Sequence, residues 1–410
     1  MVSSLEQLDA LMSPPGRALL DRLPDHDLSG TEVLRLGAEI RRELPAEVVA
    51  AAFTLHALRR RARAKFARAG EMVFTRAGLE QASAEPVARH RAARFRGAGS
   101  LADLCTGIGG DLLVLAAEAP TLAVDRDPLH LRMAAINASI YGGGAGVTTL
   151  LADVRDVSLA GIEAVFVDPA RRDGGGRTGP RRSEPPLEWC LGLAERVPRV
   201  GIKAAPGLDV AAVPPAWEIE FIADERELKE GVLWSPGLAR TPRRATVLPE
   251  GHTLLPVPGA PVPIAPPGPF LLDPNPAVTR AGLVEDLARA LGAWKIDDRI
   301  AFLSADGPTA SPFARTLRVL ASLPWHPKRI QARLRELDVG AVDIRRRGLP
   351  GDVEEIRRRL SLRGAHRATL VMTRVEDRPW CFVCTDPEES HVNPSGIEGG
   401  PGARGDGDRA

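Results

Sequence analysis

Four carboxylates stand at the ends of short apolar runs in the middle of this chain: Asp103, Asp125, Asp153 and Asp168. The first opens the segment Asp103-Leu104-Cys105-Thr106-Gly107-Ile108-Gly109-Gly110-Asp111. Glycines after a strand and before a helix let the backbone approach a ligand, and the helix start offers free N–H groups. Such a turn suits a dinucleotide, a nucleoside or no ligand at all. The dinucleotide fingerprint G-x-G-x-x-G wants a third glycine where this chain has Leu112. A carboxylate at 103 would repel a pyrophosphate and suit a cationic amino-acid moiety. Asp125, with Asp127 two residues on, can accept from both hydroxyls of a ribose. Asp153 can accept from an exocyclic amine. Asp168 begins Asp168-Pro169-Ala170-Arg171-Arg172, where the carboxylate and the Pro169 carbonyl are both hydrogen-bond acceptors. Each Asp has a plainer use as a helix cap or turn residue. All four falling at successive strand ends, on one edge, favours a ligand, because open α/β sheets bind there.

The elements that must place these groups alternate. Gly99 onward reads strand, Gly-rich turn, helix, then strand, acidic turn, helix. VTTLLADVRDV is a third strand ending at Asp153 and AVFVDPARR a fourth ending at Asp168; LEWCLGLAERVP and VGIKAAPGL add a helix and a fifth strand. Short apolar strands alternating with helices predict a Rossmann-like, doubly wound, mostly parallel α/β sheet. WEIEFIADERELKEGVLWSP and RRATVLP read as closing antiparallel strands. Residues 1–96 read as a helical cap, with a second helix interrupted near Pro86. Residues 97–250 form the core, 251–270 a Pro-rich extended linker, 271–386 a small α+β domain, and 387–410 a Gly-rich disordered tail.

The ordered set DLCTGIGGD, VDRD, LLADV and VFVDPARR resembles the class I S-adenosylmethionine-dependent methyltransferases. It is most similar to a bacterial group that joins such a core to a C-terminal THUMP-like domain and carries DPAR. The resemblance spans roughly residues 60–385 and implies S-adenosyl-L-methionine as cofactor. By position, Asp103, Thr106, Gly107 and Gly109 would surround its methionine moiety, Asp125 with Asp127 its ribose, and Asp153 its adenine. Asp168, Pro169 and Arg171 would form the catalytic side, facing the methyl acceptor. Methyl transfer is an in-line displacement at an activated carbon, so the enzyme chiefly positions reactants. Many amino-methylating relatives place an aromatic at the position of Arg171, where a guanidinium can instead stack on a base or grip a phosphate. Phe66, Phe74 and Trp234 could stack from outside the motif, although core packing suits them better. DPARR is also similar to the DPPR of uracil-C5 methyltransferases, but strand five lacks the nucleophilic Cys that chemistry needs. The stretch Met72 to Gln81, similar to one that precedes the core in this family, could cover the cofactor or simply cap a helix.

Charge points to the acceptor. Residues 59–96 hold eleven Lys/Arg against three Asp/Glu, and residues 311–375 hold fifteen against six, in a chain of net charge +1. Two basic flanks predict a polyanion, so RNA (tRNA or rRNA) methylated at a base nitrogen is the leading expectation. The alternatives are a small-molecule N-methyltransferase, a non-catalytic RNA-binding protein, and an NAD oxidoreductase that Leu112 and Asp103 disfavour. Four cysteines exclude a disulfide scaffold. Cys105 and Cys190 read as packing residues, Cys381-x-x-Cys384 as two strand cysteines rather than a zinc site, and no metal is expected. Gly348-Leu349-Pro350-Gly351 after three arginines reads as a basic turn able to contact phosphate. With no long apolar run and no signal peptide, the expected location is the cytoplasm. No stable protein partner is implied.

Overall fold

The computed structural model describes residues 4–172, 182–349 and 352–387. It packs as two units, one running to Asp224 with Lys229–Pro242, the other comprising Glu225–Leu228 and the chain from Arg243.

The first unit begins with helices α1 Leu5–Met12, α2 Pro14–Arg22, α3 Gly30–Ile40, α4 Ala46–Ala62, α5 Arg76–Gln81 and α6 Glu85–Ala92. Their starts are set by side-chain caps: Ser4 accepts from the Gln7 amide, and Ser29 with Glu32 forms a reciprocal capping box. Leu8, Leu11, Leu19, Val49 and Leu55 are buried between these helices. The expected interruption near Pro86 is the break between Gln81 and Glu85, and Pro86 itself lies in the first turn of α6, where a missing N–H costs nothing.

The sheet follows: β1 Leu101–Leu104, α7 Leu112–Leu115, β2 Thr121–Asp125, α8 Pro128–Ile140, β3 Val147–Leu151 and β4 Ala164–Val167. Next come β5 Ala170–Arg172, β6 Arg182–Glu184, α9 Leu187–Gly192, β7 Arg199–Ala204, β8 Glu218–Asp224 and β9 Glu227–Trp234. The strands of this unit run in the order β8-β9-β7-β4-β1-β2-β3. From β7 to β3 all pairings are parallel, and β9 pairs antiparallel to β7. This is a doubly wound, mostly parallel α/β sheet. The central β1 and β4 are buried along their whole length, which explains the uninterrupted apolar run of β4 and leaves Asp103 as the one polar side chain within β1. In-register pairing of Leu104 with Val124 and Val167 sets the ends of β1, β2 and β4 at one level. Two features depart from the sequence reading. β3 stops at Leu151, and a two-stranded hairpin of β5 and β6 that the sequence reading lacks follows Pro169.

The second unit opens with the hairpin β10 Arg243–Leu248 and β11 His252–Leu254. β11 therefore lies inside the stretch read as linker, because two residues flanking Gly251 close a tight turn. Then come β12 Phe270–Pro274, α10 Pro276–Ala281, α11 Val284–Leu291, β13 Trp294–Lys295, β14 Leu303–Ala305 and β15 Ala314–Pro324. The unit ends with α12 Pro327–Glu336, β16 Val339–Arg346, α13 Val353–Arg359, β17 His366–Val375 and β18 Arg378–Thr385. Strand order is β13-β14-β12-β15-β18-β17-β16, antiparallel except between β16 and β17. Ile330 and Leu334 of α12 and Ile356 of α13 cover one face, while Ile296, Ile300 and Phe302 cover the other. Only the start of the stretch expected to be a disordered tail falls within the described residues.

Candidate cofactor and acceptor site

The turn after β1 is built on backbone that few side chains tolerate. Gly107 has φ +56 and Gly109 φ +86, and a Cβ on Gly109 would stand 3.0 Å from the Ala134 backbone of α8. Cys105 is also left-handed, at φ 63, a strained setting for a residue with a side chain. The Gly107 N–H donates to Asp125 Oδ2 at 2.7 Å, and the Asp127 N–H to Asp125 Oδ1 at 2.9 Å. Asp125 is thus aimed by two backbone amides. Asp103 is 1% exposed. Thr106 Oγ1 donates to its Oδ2 at 2.8 Å, while Oδ1 is buried without any partner. Burial, then the nearby Asp111, Asp168 and Asp125, push the Asp103 carboxyl well above its ordinary range, with Thr106 opposing. A buried acid left with an open acceptor calls for a donor, preferably cationic.

A cleft of about 410 Å³, including its open mouth, is lined by Cys105, Asp125, Asp153, Arg155, Ala170, Glu184 and Pro185, among others. Asp125 and Asp153 therefore meet at one cavity, together with the residue that follows Pro169. Cys105 lines it too, so its role is wider than packing; burial first, then Asp125 and Asp168, push its thiol far above the ordinary value. Asp153 caps a short turn and accepts from the Arg155 amide at 3.0 Å; the Arg155 guanidinium engages both its oxygens and also reaches Glu184 at 3.2 Å. The Arg155 side chain and amide hold Asp153 down at about 2. Asp127 does not line the cleft. Its carboxylate caps α8 through the Leu129 and His130 amides, the plainer use that a strand-end Asp allows. Asp168 is half-buried, and Lys203 Nζ of β7 donates to its Oδ2 at 2.6 Å. Burial would lower Lys203, but Asp168, Glu230 and Asp111 outweigh it and hold the ammonium above its ordinary value. The Arg171 side chain lies outside the described residues.

Sequence reasoning missed three groups that hold this site. Lys203 is one; its place opposite Asp168 follows only from the pairing of β4 with β7. Asn137 is the second. Its fully buried amide accepts from the Val73 N–H at 2.8 Å and donates to the Val73 and Ile108 carbonyls at 3.0 and 2.9 Å. This ties the segment before α5 to the Gly-rich turn. Within that segment Thr75 caps α5, accepting from the Gly78 amide, and Arg76 is exposed. The third is Arg91, 1% exposed, bonded to Asp111 and Glu230.

Arg91 also corrects the charge reading of residues 59–96. Arg94 is buried against Glu218 and over the Trp234 ring. Arg60 and Arg63 meet Asp25, Arg61 meets Glu80, Arg68 meets Glu71, Arg89 meets Glu85 and Arg96 meets Glu118. Arg59 and Lys65 donate to backbone carbonyls. Among the described residues of this stretch, Arg76 is the one cation without a partner, so the segment is not a free basic face. Phe66, Phe74 and Trp234 are core residues, as packing suggested. Cys381 and Cys384 face opposite sides of β18 in two different clusters, so they cannot share a metal, and no metal-ligand group occurs among the described residues. Arg345, Arg346 and Arg347 bond Asp343, the Leu349 carbonyl and Asp273, which uses up the basic turn; its Pro350 and Gly351 lie outside the described residues.

Two proteins of Mycobacterium tuberculosis, from strains CDC 1551 / Oshkosh and H37Rv, carry the name uncharacterized S-adenosylmethionine-dependent methyltransferase. Each is 36% identical to this chain over 336 residues, spanning 78% of this chain and 90% of the relative. The chain belongs to this family of S-adenosylmethionine-dependent methyltransferases. Its fold agrees: a crystal structure from Porphyromonas gingivalis W83, assigned as a methyltransferase, superposes with a TM-score of 0.68 at 19% identity, covering 88% of this chain and 99% of that one. Residues 314–386 match the THUMP domain-like family, and residues 4–62 match a domain of unknown function. The methyltransferase takes S-adenosylmethionine as cofactor, and the donor set fits it: an open buried acceptor on Asp103, amide-fixed oxygens on Asp125, and a cleft that Asp125 and Asp153 line. No helix of the described residues is long and apolar enough to cross a membrane.

Proposed function

We propose that this methyltransferase modifies RNA, tRNA or rRNA, at a base nitrogen, in the cytoplasm. The observation that carries the reading is Asp168: a carboxylate at the sheet edge, fixed through one oxygen by Lys203 and leaving Oδ1 for an acceptor N–H. The cofactor supplies an electrophilic methyl group on a sulfonium. Asp103 would hold its amino group, with Thr106, Gly107 and Gly109 shaping the turn around the methionine moiety, and Asp125 its ribose. Asp153 would face adenine, sharing its oxygens with Arg155. Asp168 and the Pro169 carbonyl would accept N–H bonds from the target amine, turning its lone pair toward the methyl group. Lys203 orients the Asp168 carboxylate through Oδ2, so that Oδ1 would face the positive charge that develops on the nitrogen until its proton is lost to solvent. Arg171 would contact the base or a neighbouring phosphate.

RNA is supported by the THUMP-like segment and by its charge. On α12, Lys328, Arg329 and Arg335 are exposed and have no partner among the described residues, and the same holds for Arg363 just before β17 and Arg367 at its start. Unpaired guanidinium and ammonium groups suit a phosphate backbone. A small-molecule amine would leave this face without use. Mass spectrometry of nucleosides from a deletion strain tests the proposal. One methylated nucleoside should vanish and return with the wild-type gene but not with Asp168→Ala. An unchanged nucleoside profile contradicts an RNA substrate.

A further inference from the structure

A second cleft lies in the N-terminal helices and shares no lining residue with the cofactor cleft. It measures about 430 Å³ with its open mouth. Leu20, Leu23 and Pro24 form an apolar wall, and His56, Arg59, Arg60 and Arg63 of the end of α4 form the opposite one. The four cationic or basic groups recur at helical spacing, so their heads converge. Arg59 has no carboxylate partner; its guanidinium donates to the Met72 and Glu71 carbonyls at 2.8 Å each. Burial lowers it to about 10, with Asp21 and Glu71 only partly compensating. A desolvated guanidinium without a bonded anion is costly. Arg60 is 24% exposed and Arg63 49%, whereas their partners Asp25 and Asp27 are 78% and 87% exposed. The cations are the fixed part of the site; the carboxylates reach in from the solvent-facing loop between α2 and α3.

We propose that this cleft binds an organic phosphate, its oxygens on Arg59, Arg60 and Arg63 in place of Asp25 and its organic body against Leu20, Leu23 and Pro24. The Arg60 and Arg63 guanidinium groups can grip phosphate oxygens, with the remaining Arg59 Nη1 beside them, and a carboxylate already held by Arg60 and Arg63 marks the position an anion takes. His56, held by the Pro24 carbonyl at 2.8 Å, closes the inner end. The site does not depend on the acceptor proposed above, since binding is read without methyl transfer.

Calorimetry on the full chain with inorganic phosphate, AMP and a short oligoribonucleotide tests it. AMP should bind more tightly than inorganic phosphate. The pair of changes Arg60→Gln and Arg63→Gln should weaken AMP about tenfold or more, as loss of charge-assisted bonds does. Asp25→Asn, an exposed and mild change, should strengthen AMP several-fold by removing the competing carboxylate. An oligoribonucleotide that displaces AMP names RNA as the source of the phosphate; one that does not names a free phosphate ester. No heat from any probe, AMP no tighter than inorganic phosphate, or an affinity that none of these variants moves overturns the site.

Discussion

Lys203 decides what Asp168 can do. Its side chain is 12% exposed, and its ammonium bonds one carboxylate oxygen while the other stays open. Replacing Lys203 with Met should lower kcat about tenfold or more, the value of one charge-assisted bond. Affinity for S-adenosylhomocysteine should change less than about threefold, and Lys203→Arg should recover most of the loss. A collapse of cofactor affinity instead would place Lys203 in the cofactor's own contacts. Asp153 offers a pH test. Its carboxylate is held at about 2 by Arg155, below the ordinary value near 3.9. A depressed carboxylate adds its stabilisation above the unfolded value and loses it as pH falls toward 2. Carbon-13 titration should show that low midpoint in the wild type and a rise toward about 3.9 in Arg155→Gln; identical midpoints would contradict the pairing. These contacts were hidden in the sequence. Lys203 and Asp168 are 35 positions apart, and nothing local announces that their strands adjoin.

The Gly-rich turn is shaped by what braces it. Gly109 lies against Ala134 of α8, and Asn137 one turn on bonds both Val73 and Ile108. Asn137→Ala removes three buried hydrogen bonds and leaves two carbonyls and an amide unsatisfied. It should destabilise the protein by about 2–4 kcal/mol and weaken S-adenosylhomocysteine binding, read by thermal unfolding with and without ligand. An unchanged melting temperature would show that the brace is dispensable. The order of strands and helices was legible because β1, β2 and β4 are short, largely apolar runs that contain, end in or precede an Asp. The β5–β6 hairpin was not, because Ala170–Arg172 has no alternation and its partner strand lies beyond a Gly-rich stretch. The interruption near Pro86 was legible for a local reason: the ring that breaks a helix interior suits a first turn, so α6 starts there.

Across the chain, a count of arginines is a poor guide to a surface. Residues 59–96 and 311–375 carry similar local charge, yet the first is almost wholly consumed by partners up to 144 positions away, as in the Arg94–Leu238 contact. The second keeps free cations on α12. This difference locates the RNA contact proposed for the methyltransferase. Changing Lys328, Arg329 and Arg335 together to Gln should reduce the salt dependence of RNA binding by about two in log–log slope, near 0.7 per lost phosphate contact. A slope equal to the wild type's would move the contact elsewhere. Asp125 and Asp168 were legible as a pair at one level, since each directly follows a residue paired with Leu104, whereas Asp103 pairs with Ala123 inside β1 and Asp153 lies beyond the end of β3. Asp127 was not separable from them, because a cap and a ligand contact look alike until the α8 amides are seen.

The central claim is that cofactor and acceptor are held by different carboxylates of one sheet edge. Calorimetric titration of S-adenosylhomocysteine into the wild type, Asp125→Ala and Asp168→Ala tests it most directly. Binding should weaken at least about tenfold in Asp125→Ala, which loses two ribose bonds, and stay near the wild-type value in Asp168→Ala. Full affinity in Asp125→Ala, or its loss in Asp168→Ala alone, would contradict that division of roles.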